Sequence, residues 1–152
     1  MAGLTSALCT SFKVELLEGD HDFNNGADAF KVALFKANAS ITGTYDATTT
    51  NYSDMTGNSD ELAATGGYST GGFALTNVNP TSTSTTAFTD FSANASWSSA
   101  TFTTRGCLIY NTSDSNSAVA VIDFGADYSV SGGTFEIQWP AADSSNAIIR
   151  IA

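Results

Sequence analysis

Four runs in the last third of the chain constrain its fold more than anything else. Residues 102–110, 118–124, 134–139 and 147–151 are rich in β-branched and aromatic side chains, and Gly, Ser, Asn and Asp separate them. Sequences of this kind build sheets. The strand-like character continues through Ala147, Ile148, Ile149, Arg150, Ile151 and Ala152, so the last strand is expected to be part of the sheet and not a loose tail.

Upstream, residues 30–36 read as a strand with Phe30, Val32 and Leu34 on one face and Phe35 on the other. Residues 73–78 give a second strand. Residues 87–91 give a third, although Phe88 and Phe91 lie three apart and share a face only across a bulge. Pro80 and the Thr/Ser run at 81–86 mark a turn, and Trp97 falls in a short polar segment before the strand at 102–110. At the start of the chain Leu4, Leu8, Phe12 and Leu16 recur every four residues. That spacing predicts an amphipathic helix over about 4–18, with Thr5 or Ser6 as N-cap and Gly19 just past its end. Its apolar stripe is expected to pack on the sheet, the alternative being a neighbouring subunit. Seven or eight strands, one helix and no helices between strands predict a mainly β single domain over residues 1–152. The architecture expected is an antiparallel β-sandwich or jelly roll. Residues 38–72 form a long Ser/Thr/Gly-rich stretch of the kind that serves as a functional or interface loop, with Leu62, Tyr68 and two Gly-Gly pairs suggesting partial order.

The charge balance narrows the partners. There are 15 acidic residues against 5 basic, a net charge of -10, and Lys13, Lys31, Lys36, Arg105 and Arg150 are scattered. Nucleic acid and anionic membrane surfaces both need clustered Lys and Arg, so neither is expected as a partner. About a quarter of the chain is Ser or Thr, which gives a hydroxylated surface suited to extended structure and protein contacts. The N-terminal residues show no basic region followed by a long apolar run, so no signal peptide or membrane span is expected and synthesis in the cytoplasm is. Cys9 and Cys107 are expected as buried free thiols in preference to a disulfide, since two cysteines do not make a framework.

Residue types that carry chemistry are few. The single histidine, His21, follows Asp20 and precedes Asp22 and Asn24, an alternation that resembles the opening of a calcium loop. Glycine then falls one place late at Gly26, and Lys31 stands where a bidentate Glu belongs, so a connector whose Asp and Asn side chains bond the local backbone is the expected reading. No Gly-x-Ser-x-Gly turn accompanies His21, and no phosphate-cradling glycine loop is present. Glu15, Glu18, Glu61 and Glu136 are the glutamates available for a glycosidase pair, and Glu136 alternates with Phe135 and Ile137 towards solvent. Trp97, Trp139, Tyr68 and Tyr110 suit either a sugar-stacking platform or a core, with the core favoured. Arg105 and Arg150, set in apolar runs, are expected to pair with a carboxylate or to meet an acidic partner. No catalytic residue, metal or cofactor is expected.

Three stretches taken together resemble a family of small structural proteins encoded in tailed bacteriophages. The first is Ser11-Phe12-Lys13-Val14-Glu15-Leu16-Leu17-Glu18-Gly19-Asp20-His21-Asp22-Phe23 followed by Phe30-Lys31-Val32-Ala33-Leu34-Phe35. The second is Thr101-Phe102-Thr103-Thr104-Arg105-Gly106-Cys107-Leu108-Ile109-Tyr110-Asn111. The third begins Ala118-Val119-Ala120-Val121-Ile122-Asp123-Phe124-Gly125 and runs on to the closing Ala147-Ile148-Ile149-Arg150-Ile151-Ala152. The resemblance implies a virion component, most like a capsid decoration or cement protein that binds the major capsid protein on the outside of the head as a homodimer or homotrimer. A neck, tail or baseplate protein, or a carbohydrate-binding host-attachment module, are the alternatives. On that reading the assembly contacts are expected on the N-terminal segment, the 38–72 loop and the arginine-bearing strands, through Leu4, Leu8, Phe12, Tyr45, Tyr52, Arg105 and Arg150.

Overall fold

The computed structural model describes residues 2–152. Its centre is one long hairpin. Strand β8, Ala95–Asn111, turns through residues 112–116 into β9, Ser117–Ile137, and the two pair antiparallel over almost their whole length. Residues 118–124 and 134–139, separate strands by sequence, therefore lie mostly in one strand of 21 residues. The Gly and Ser between them, which read as a turn, serve as irregularities within the strand. Gly125 and Gly132 adopt left-handed φ of 81° and 67°, and the register shifts on either side of them.

The hairpin forms the middle of a five-stranded antiparallel sheet. On the β8 side lies β3, Phe30–Lys36, followed by β5, Phe73–Ala74; on the β9 side, among the described residues, lies only β2, Ala7–Leu8. A three-stranded sheet, β10 (Ile149–Ile151), β7 (Thr86–Thr89) and β6 (Thr81–Thr83), supplies further core, with Phe91 packing on both Phe30 and Trp139. A two-residue parallel pair joins β1, Gly3–Leu4, to β4, Thr44–Tyr45. The chain is mainly β, antiparallel and sandwich-like with one main helix, the class its sequence predicts. Sheets of five, three and two strands give the jelly-roll topology no support.

The helix α1, Thr10–Glu18, is shorter than the stripe of leucines implies. Leu4 and Leu8 sit in β1 and β2, because Gly3–Leu4 pairs with β4 and Ala7–Leu8 with β9, leaving only Phe12 and Leu16 on the helix. The N-cap is Cys9 with no side-chain bond, not Thr5 or Ser6, whereas Gly19 closes the helix in the left-handed conformation at φ 91° as expected. The 38–72 region is also more ordered than its composition suggests. It holds a 3-10 turn, Asn38–Ser40, and a helix, α2, Tyr52–Gly57, whose N-terminus is a reciprocal capping box between Asn51 and Asp54. Of residues 73–78, only Phe73–Ala74 is strand, with Asn77 forming a lone bridge to Phe91; the run at 81–86 begins with β6. Cys9 and Cys107 are free and buried, Cys107 in β8 and Cys9 just ahead of α1.

Candidate functional site

Polar side chains first fix the long 38–72 segment to the sheet. Asp60 is fully buried, and its carboxylate accepts from Tyr45 Oη at 2.6 Å, Gly43 N at 2.7 Å and Thr42 N at 3.0 Å, with Lys36 Nζ at 3.0 Å. Burial alone would raise this carboxyl. The bonds from Tyr45, Gly43, Thr42 and Lys36 outweigh it and bring the pKa down to about 2. Glu61 next to it gathers Tyr52 Oη at 2.6 Å, Tyr68 Oη at 2.7 Å and Gly71 N at 2.7 Å, while Tyr110 donates to Gly71 O and stacks on Tyr52 at 4.4 Å. Burial and then the Glu61 carboxylate push the Tyr52 and Tyr68 hydroxyls up. The sequence marked these positions weakly, as isolated tyrosines in a polar stretch, and held no sign of Asp60.

Around His21 a second network closes. Asn111 Oδ1 accepts from Ser113 N and Asp114 N, which orients the amide so that its Nδ2 donates to Asp28 Oδ2 at 2.8 Å and to His21 Nδ1 at 3.0 Å. With Nδ1 accepting, the neutral ring carries its proton on Nε2 and donates it to Glu15 Oε2 at 2.9 Å. Glu15, His21 and Asp114 lie close enough together to suggest metal ligation. This tautomer opposes it, because a ligating histidine donates its second N–H outward and here Nδ1 faces a donor. The cluster is a framework joint between α1, the following loop and the tip of the β8–β9 hairpin. Asp22 behaves as a connector residue, accepting from Asn24 N at 2.9 Å.

The aromatics expected as platform or core fall mainly in the core. Trp97, Tyr68 and Tyr110 are buried; Trp139 is half-buried, tilted against Phe91, with Nε1 donating to Ala93 O at 2.9 Å.

Of the seven residues expected at an assembly contact, Phe12 and Tyr45 are 1% exposed and belong to the core, so neither offers surface to a partner. Phe12 packs on the rings of His21 and Phe23, and Tyr45 lies against Phe35 with its hydroxyl held by Asp60. Leu4 and Leu8 are half-buried along the N-terminal strands, Leu4 lying over Gly106. Tyr52 is half-buried on Tyr110. Arg105 is held by Asp123 at 2.7 Å, and Arg150 is exposed and donates to Ser145 O. The structure does not bring these seven side chains to one surface patch.

No family model, curated protein or solved structure matches this chain. Among the described residues no helix is long and apolar enough to cross a membrane. Function has to be argued from the surface.

There the outstanding feature lies along the outer side of β9, which sequence reasoning missed because it divided that strand in two. β2 covers β9 only at Ala120 and Val121, and Ser6 Oγ takes the Asp123 N–H at 2.9 Å. Beyond that point, among the described residues, no strand pairs with the outer side of β9 as far as Ile137. Beside this open edge runs an apolar groove of about 510 Å³, lined by Ile122, Phe124, Tyr128, Phe135, Trp139 and Ile148. Tyr128 stands 51% exposed at its rim. The opposite side of the same hairpin is closed. Thr101 N donates to Gly66 O at 2.8 Å, and a Cβ on Gly66 would lie 2.0 Å from Thr101 O, so only glycine allows the 63–67 segment to cover β8 there.

Proposed function

We propose that this chain is a structural component of a tailed-phage virion, a capsid decoration protein that binds the outside of the head and acts without catalysis. The observation that carries the proposal is the open β9 edge with its apolar groove, an adhesive surface on a rigid framework. The likeness of three long stretches to small phage structural proteins supports the same reading. A decoration protein needs stiffness and one sticky face, and the networks around buried Asp60 and His21 and half-buried Glu61 supply the stiffness.

The mechanism is linkage. A protein that binds the assembled shell but not its separated subunits stabilises the shell by RT ln(1 + [L]/Kd), about 2.7 kcal/mol per site at a free concentration of 100 Kd. Dimers or trimers suit sites on symmetry axes, and α1 offers a face for them, with Leu17 89% and Val14 52% exposed. A sugar-binding role would require tryptophans open to solvent, and the burial of Trp97 weighs against it.

Quantitative peptide mass spectrometry of purified particles tests the proposal. A copy number near that of the major capsid protein is expected. A few copies per particle would move the chain to the neck, tail or baseplate, and its absence would refute the virion role.

A further inference from the structure

We infer that the outer edge of β9 and its groove receive an extended strand from a partner protein, one that alternates apolar side chains with Lys or Arg. This inference rests on the decoration reading for where the partner is found, in the shell, but the docking chemistry stands on the surface itself.

The backbone sets the kind of occupant. Along an antiparallel edge every second residue points its N–H and C=O outward, so from Tyr128 to Ile137 β9 presents a row of unmet donors and acceptors that an added strand satisfies. Over residues 128–137 the pairing with β8 keeps this row in register apart from local shifts near Gly132 and Trp97. Side chains set the pattern. Phe135, Ile137 and Trp139 alternate with exposed Glu136 and Gln138, so a strand laid alongside places every second side chain towards the groove and the others beside the acidic face.

Charge chooses between a second copy and a different protein. Along its open stretch β9 carries Glu136 and no basic residue, with Asp127 at the start of that stretch, where its Oδ1 takes the Asn38 N–H; Asp123 is paired with Arg105, and Asp143 lies in the segment just beyond the groove. A second copy would bring another net charge of -10 to this edge. Three of its five cations are also committed, Lys36 to Asp60, Arg105 to Asp123 and Arg150 to the Ser145 carbonyl, which leaves Lys13 and Lys31 against fifteen acids. Acidic residues on an edge strand discourage pairing with an equally acidic copy. The same acids favour a basic strand and speed its approach.

Three synthetic ten-residue peptides probe the site: alternating Val-Lys, alternating Val-Glu, and a block peptide with the Val and Lys residues segregated. Each is added to the full-length protein, with hydrogen–deuterium exchange read over β9 and affinity read from tryptophan fluorescence. The Val-Lys peptide is expected to bind, to protect amides between 128 and 137, and to weaken as salt is raised. Glu136→Lys, at an exposed position, should lower its affinity about fivefold, the scale of one surface ion pair lost and one repulsion gained. Tyr128→Ser, also exposed, should lower it through the groove and leave the salt dependence unchanged. The inference is overturned if the Val-Glu or block peptide binds as well, if protection falls outside β9, or if none binds. It is also overturned if β9 amides become protected with rising protein concentration alone, which would make the occupant a second copy. Peptide binding by a protein absent from particles would remove the virion reading and keep the site; abundance in particles without peptide binding would do the reverse.

Discussion

Replacing Asp60 with asparagine tests what holds the 38–72 segment in place. The carboxylate titrates near 2 in the folded protein against an ordinary value of 3.8, so its charge carries about 2 kcal/mol of pH-dependent stability. The folded form is the stronger acid, so as pH falls the unfolded chain takes up the proton first. The contribution is therefore complete above about pH 4 to 5 and is lost as pH falls through about 2. Asp60→Asn would keep the shape but place an NH2 among the donors of Thr42, Gly43 and Tyr45 and leave Lys36 without its carboxylate, a total cost of about 3 kcal/mol at neutral pH. Urea unfolding followed by tryptophan fluorescence, on both proteins from pH 7 to pH 2, measures the gap. Asp46, Asp123 and Asp143, also held below the ordinary range, and Asp90, raised chiefly by burial, are common to both proteins and cancel in the difference. The gap should shrink from about 3 to about 1 kcal/mol on acidification. A gap that stays constant with pH would refute the ionised carboxylate as the anchor.

Other substitutions separate core from surface. Phe12→Ala should cost about 3–5 kcal/mol by chemical denaturation, whereas Leu17→Ala on the same helix, 89% exposed, should stay within about 0.5 kcal/mol. Gly72→Ala should destabilise by more than about 2 kcal/mol, because its φ is +75° and the added Cβ would lie 1.9 Å from Val32 O, forcing β5 off β3. Cys9, raised to about 12 by burial, and Cys107, raised further by the same cause, should resist a thiol reagent at pH 8 in native buffer. Both should react in denaturant; only one reactive thiol, or none, would show that the native pair is not free.

The parts of the fold legible in the sequence are those where one face of an element decides its environment. β3 shows the other legible case, a near-continuous apolar run from Phe30 to Phe35 that is buried on both faces, Ala33 and Phe35 as fully as Val32 and Leu34, because the strand is central in its sheet. Gly19 was legible for a local reason, since a helix ending in a left-handed turn selects glycine. Leu4 and Leu8 misled because spacing of four describes a helix face only if the backbone is helical, and here two-residue strands paired far along the chain override it. Asp60 and Asn111 were invisible because their partners lie on other elements, and a buried polar residue looks like a surface one until those partners are placed.

The largest misreading and the candidate site have one cause. Gly125, Gly132 and Gly133, with the serines near them, read as a turn because positive φ and small side chains are turn signals. In a strand the same residues make bulges, which bend it and interrupt its side-chain alternation. Bulges suit an edge that has no second strand to satisfy, so their concentration between Gly125 and Gly133 points to a strand whose outer side was left open when the rest of the sheet was paired. Shortening the edge would have been the simpler protection against aggregation. Instead β9 runs on past Asp123 to Ile137 with Asp127 and Glu136 along it and an apolar groove beside it, a combination that disfavours copies of the same acidic chain while leaving room for a strand of opposite charge.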